Sequence, residues 1–250
     1  MKNIFKTKIL LSVLSIVFAG ECLAETYEIA TGPFEKLKIN GDIRVVYKNM
    51  PDSTGMASYE APAGNQRLFS FTTKGGTLKV EPGDEEWGSK DLPVIYLYSD
   101  FLTSVESYSN ENVEIQSAAP SSGISVTLVG NGTISVNDIK CTTVSASLST
   151  GNGSIYLSGE CTNATFRMVG TGLISADRLQ AENVKCRILG TGSIGCWPVD
   201  NLNVSGLGST KIYYKGKPNI KKVGGGKLYE LPEEDRDRSG AEIKSLNMSE

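Results

Sequence analysis

The chain has 250 residues, of which 39% are hydrophobic and 21% charged, with a net charge of −3 and no histidine. That balance suits a folded chain with a sizeable core and sets aside an intrinsically disordered one. The missing histidine removes Ser-His-Asp and Cys-His nucleophilic chemistry, and the acidic balance argues against nucleic acid or an anionic membrane surface as partners.

Residues 1–24 read as a signal peptide. Lys2, Lys6 and Lys8 form a positive start, and residues 9–20 are an apolar run too short to span a bilayer comfortably. Cys22-Leu-Ala24 then places small residues at the −3 and −1 positions, so cleavage is expected before Glu25. Glu21 departs from the small residue that a lipid-modified Cys22 would want in front of it. Cleavage removes Lys2, Lys6, Lys8 and Glu21 and takes the charge from −3 to −5. No second long apolar segment follows, so no integral helical membrane segment is expected after cleavage. The expected location is the periplasm, the outer-membrane surface or the exterior.

Residues 25–117 read as a less regular, β-rich N-terminal part of the same domain. Short β-type runs at 37–39, 43–47, 68–71, 78–80 and 94–98 are separated by Asn40-Gly41, Lys74-Gly75-Gly76 and Pro82-Gly83-Asp84. Residues 84–91, with Trp87, read as an exposed loop.

Residues 118–229 carry a repeat. A phrase recurs as Gly130-Asn-Gly-Thr-Ile134, Gly151-Asn-Gly-Ser-Ile155, Gly170-Thr-Gly-Leu-Ile174, Gly190-Thr-Gly-Ser-Ile194, Gly206-Leu-Gly-Ser-Thr-Lys-Ile212 and Gly224-Gly-Gly-Lys-Leu228. A near-constant period of about 20 residues signals stacked units. Very short strands follow the phrase at 134–136, 155–157 and 174–176, and precede it at 144–148, 164–168, 184–188 and 202–204. They alternate apolar with polar residues, one side in and one side out. An all-β parallel β-helix, a single-stranded solenoid, meets these constraints. Each phrase is then a corner whose glycine takes φ > 0, a demand that Asn131 and Asn152 also fit. Residues 230–250 form a charged tail with no apolar pattern, expected to be solvated.

The candidate chemistry is sparse. A phosphate loop needs a helix after the glycines, and here β-type residues follow every phrase except the last. Asp138, Asp177 and Asp200 each trail a phrase. They read as turn residues more readily than as a line binding Ca²⁺ or sugar. Cleavage leaves Cys141, Cys161, Cys186 and Cys196, at spacings that do not resemble a zinc site. Cys141 and Cys161 stand three residues before Val144 and Ala164. They therefore fall at matching positions on adjacent coils, as candidate disulfide partners. Cys186 and Cys196 flank one corner and are less favoured. Tyr96, Tyr98, Trp87, Trp197, Tyr213 and Tyr214 are the candidate ligand-binding aromatics, with a core-covering role as the plainer alternative. No metal, cofactor or catalytic residue is called for.

Phe34-Glu-Lys-Leu-Lys-Ile-Asn-Gly41, Leu102-Thr-Ser-Val-Glu-Ser, the Gly-x-Gly-x-Ile series and the closing Ile212-Tyr-Tyr-Lys-Gly-Lys-Pro218 with its glycine cluster resemble the head GIN domain. That family is labelled "putative auto-transporter adhesin" and is common in Bacteroidetes. The resemblance spans residues 27–229 and implies a right-handed β-helix and an envelope or surface location. The chain has no obvious membrane-spanning barrel region. The expected function is therefore a non-catalytic exported adhesin that binds a glycan or protein. A periplasmic structural or sensing module and a polysaccharide-active enzyme are the alternatives. Open β edges favour a homodimer through the helix ends.

Overall fold

The computed structural model describes residues 24–65, 67–83, 92–118 and 120–231. Most of the signal segment, Trp87 and the charged tail lie outside the described residues. Strands dominate, and no α-helix occurs among the described residues. The ladders curl into a β-solenoid of about six turns.

The first nine strands are β1 (Ala24–Ala30), β2 (Lys36–Asn40), β3 (Val45–Asn49), β4 (Met56–Pro62), β5 (Phe69–Lys74), β6 (Thr77–Pro82), β7 (Ile95–Ser99), β8 (Ser104–Tyr108) and β9 (Asn112–Ile115). Then come β10 (Ser121–Val129), β11 (Thr133–Ser149), β12 (Ser154–Gly170), β13 (Leu173–Gly190), β14 (Ser193–Gly208), β15 (Lys211–Tyr214), β16 (Asn219–Gly224) and β17 (Lys227–Glu230). The short strands expected in the repeat are fused: β11 to β14 are each 16–18 residues long. They stay continuous because each bends at a bulge where its register shifts, as between Val136 and Ile139.

Each coil has three faces. The first face leads into the glycine phrase and stacks β10, the C-terminal halves of β11 to β14, and β16, all parallel. The second face follows the phrase and stacks the N-terminal parts of β11 to β14 with β15 and β17. A narrow third face joins them, where Cys141 pairs with Cys161 and Cys161 with Ala181. The isoleucine that ends each phrase explains the core. Ile134, Ile155, Ile174, Ile194 and Ile212 are in register and fully buried, each worth about 1.5–3 kcal/mol of burial.

The two glycines of the phrase do different jobs. Gly151 has φ 76°, the left-handed turn expected of a corner. Gly172 has no positive φ, but a Cβ there would collide with the carbonyl oxygen of Gly153 in the coil beneath. At Gly172 coil-to-coil contact, not backbone conformation, requires the glycine. The division is not uniform, since Gly208, the second glycine of its phrase, has φ 121°, and Gly190, the first of its phrase, departs from the expected positive φ. Asn131 and Asn152 also depart from expectation, since neither has positive φ. Their side chains instead tie coils together: Asn131 Nδ2 donates to Asn110 Oδ1 (3.4 Å), and Asn131 Oδ1 accepts from the Asn152 amide (2.9 Å).

The N-terminal strands extend the same two faces, although they lack the phrase. On the first face β8 lies on β10, β2 on β8 and β6 on β2. On the second face β9 lies on β11, β3 on β9 and β7 on β3. The β2–β3 coil is thus sandwiched between two pairs that come later in sequence. Antiparallel strands close this end, with β5 on β6, β4 on β7 and β1 on β4. The opposite end has no added strand among the described residues. There Lys222 and Glu230 occupy the register positions of Val204 and Tyr214, so charges stand at core-facing positions of the last coil.

Candidate functional site

The expected aromatics do not form one site. Tyr96 and Tyr98 lie on β7 at the N-terminal end, both half-buried. Lys48 Nζ sits 4.9 Å from the Tyr96 ring centroid, and the Tyr98 hydroxyl is 3.3 Å from Ser58 Oγ. Seven strand spacings on the second face, about 34 Å, separate them from β15. Tyr213 on β15 is buried and stacked on Tyr229 at 5.3 Å, beside Leu173. It covers an outer apolar cluster. Tyr214 packs against the main core, and burial together with Glu230 pushes its hydroxyl pKa up.

Trp197 lies near a buried ion pair. Lys215 Nζ is 3.8 Å from Asp177 Oδ2, with side chains only 5% and 3% exposed. Ser175 Oγ donates to Asp177 Oδ1 at 2.6 Å, and Lys215 Nζ lies 5.9 Å from the Trp197 ring centroid. The three aspartates that trail the phrases are therefore not equivalent. Asp138 is exposed at the β11 bulge with φ 51°, Asp200 is exposed, and Asp177 is a buried ionic pin. Its pairing to a lysine two coils away could not be read from local sequence.

Cys141 and Cys161 are direct register partners, and both thiols are free in the structure. Cys141 Sγ donates to the Thr143 carbonyl at 3.2 Å. Burial pushes the Cys161 thiol up to about 12. Cys186 and Cys196 are fully buried. The hydrogen bond that the Cys196 thiol donates to Cys186, then burial, holds the Cys196 thiol well above its usual range. Among the described residues no group of three or more Cys, Asp or Glu is placed to hold a metal ion.

One surface was missed. On the first face, Val169, Leu189 and Leu207 are consecutive register partners pointing outward. Leu189 is 57% exposed and Leu207 70%. Val223 on β16 lies one coil further, in register with Ser205 rather than Leu207, and is 64% exposed. Two residues back along the strands, Arg167 pairs with Arg187, and Lys185 and Lys221 flank them. Segments 163–170, 183–190, 201–208 and 219–224 contain no Asp or Glu. The available signal was an apolar residue at the polar phase of the alternation just before Gly170, Gly190, Gly208 and Gly224.

The fold defines the class: a β-solenoid whose available chemistry lies on its side faces. The chain belongs to the family described as "Putative auto-transporter adhesin, head GIN domain", whose model matches residues 33–218. The structure is similar to that of a protein described as a putative adhesin from Bacteroides fragilis, with 20% identity and TM-score 0.72, covering 83% of this chain and 97% of that one. It is also similar to one described as a putative lipid binding protein from Parabacteroides distasonis, with 22% identity and TM-score 0.66, covering 84% and 97%. A third, described as a putative adhesin from Parabacteroides distasonis, has 17% identity and TM-score 0.65, covering 83% and 97%. These likenesses speak for the fold. A search of curated proteins finds no match.

Proposed function

We propose that the chain is a non-catalytic, exported binding protein of the adhesin type. Its rigid solenoid holds a side face toward a ligand of the cell surface, a glycan or a protein. The observation that carries this reading is the first face of the last four coils. There, exposed apolar and cationic side chains repeat at the strand spacing on a frame whose core is fully packed. Exposed apolar groups in a row mark an interaction surface more often than plain solvated structure. The family description and the adhesin-described neighbours support the same reading. The neighbour described as lipid-binding extends the ligand classes worth testing.

The test is a glycan array beside a pull-down from envelope extract, using residues 25–250. Retention of one glycan class or one envelope component is expected. A chain that retains no envelope material would end the reading. We further propose that Cys141 and Cys161 close into a disulfide after export, since register partners fall within bridging distance. Non-reducing peptide mapping of the exported protein should recover the bridged peptide, and two free thiols there would exclude it.

A further inference from the structure

The net charge of the chain points away from anionic partners, but its charge is not spread evenly. Arg167 and Arg187 are direct neighbours across a parallel ladder, an arrangement that costs stability when nothing separates the charges. Neither has an ion-pair partner among the described residues. Lys185 and Lys221 lie on the same face, within about 14 Å along the stack. The aliphatic row Val169, Leu189 and Leu207 runs parallel to the cations, one alternation closer to the corner. Cations beside exposed aliphatic side chains match an amphiphilic partner. The cations meet anionic headgroups, and the leucines enter the headgroup–acyl boundary. A sugar polymer would match the cations only, because the row offers aliphatic groups and no aromatic ring for stacking.

We propose that the first face of the last four coils is a docking surface for an anionic lipid layer. This rests on the surface-binding reading above and names its partner. Arg167 and Arg187 take the headgroup charges, and Leu189 and Leu207 take the apolar contact. The faces rich in Glu, including β1 with Glu25 and Glu28, then turn away from the layer or lie at its margin.

The experiment is co-sedimentation of the chain from Ala24 onward, which holds every described strand. The vesicles are phosphatidylcholine alone or phosphatidylcholine with phosphatidylglycerol. Binding is expected to the mixed vesicles only and should weaken with added salt. The double variant Arg167→Glu/Arg187→Glu should lose well over tenfold, since each cation near an anionic leaflet is worth about fivefold. Leu189→Ser/Leu207→Ser should lose roughly tenfold on vesicles, while both variants keep the parent's melting temperature because all four side chains are exposed. No binding to mixed vesicles at low salt overturns the proposal. So does unchanged vesicle binding by the leucine pair together with full competition by soluble polyglutamate, which would mean a polyanion site. Failure on vesicles with retained envelope material in the pull-down would leave the proposed function standing and remove this partner alone.

Discussion

The two ends of this solenoid solve one problem in opposite ways. A stack of parallel coils leaves unpaired backbone groups at each end, which invite further strands. At the N-terminal end, antiparallel β1, β4 and β5 lie over the parallel stack and cover its core with Tyr27, Tyr59 and Phe69. At the C-terminal end the repeat runs to its last coil, where Lys222 and Glu230 replace core residues. Among the described residues one end is closed by bulk and the other ends on charge. The difference teaches that a regular repeat can run to a last coil whose charged positions make it an unfavourable surface for another.

The largest effect that would sharpen this contrast concerns ion pairs. Asp177→Ala removes the carboxylate partner of a lysine that is 5% exposed. It should cost about 3–5 kcal/mol, read as a fall in melting temperature of roughly 6–20 °C for a chain this size. Glu106→Ala breaks the Lys38–Glu106 pair of the N-terminal half, which is about one-third exposed. It should cost under about 1 kcal/mol. Equal losses would erase the distinction between the two halves.

Glycines give the next effect. Gly172→Ala should cost about 1–3 kcal/mol, because its Cβ meets the backbone of the coil beneath. Gly75→Ala, in the β5–β6 turn, meets nothing within 4 Å but keeps φ 56°. It should cost about 1–2 kcal/mol, the left-handed penalty alone. The urea midpoint of Gly172→Ala should therefore fall at or below that of Gly75→Ala.

Alkaline pH probes both halves together. Burial pushes Tyr47 in β3 and Cys161 in β12 each up to about 12. Both folded values lie above the unfolded ones, so this contribution is complete below about pH 9 and is lost as pH climbs toward about 12. The Tyr47 share is of order 2–3 kcal/mol. Tyr47→Phe should flatten the fall above pH 10 while leaving the Cys161 part. A melting temperature that falls identically in parent and variant would show that Tyr47 is not the titrating group. The smallest effect is association. Light scattering behind size exclusion should give a monomer rather than the end-paired homodimer expected from open edges, because Lys222 and Glu230 make the last coil a poor template. Lys222→Val/Glu230→Leu should shift it toward oligomers.

Much of the solenoid was legible because its information is local. The phrase, its period and the alternation around Val144, Ala164 and Val184 together specify corner, strand and buried side. The N-terminal coils were less legible. Leu37 and Ile39 read as a short strand, but their ladder partners Leu78 and Val105 are 41 and 68 residues away, with no shared phrase to link them. The placement of the aromatic candidates was not legible, because their exposure depends on what stacks above, as Tyr229 does on Tyr213. The row through Leu189 and Leu207 becomes visible only when register places residues 18 apart side by side.

The interleaving of the β2–β3 coil bears on how the length of this molecule can change. From β11 to β14 each coil pairs only with the coil before and the coil after it. A block such as 151–170, from one corner to the next, can therefore be removed or copied with its two neighbours joined in its place. No such cut exists at the other end, since the β2–β3 coil lies between two pairs of strands that both come later in the chain. The molecule thus has a fixed root and an adjustable shaft, and lengthening the shaft also lengthens the surface it carries.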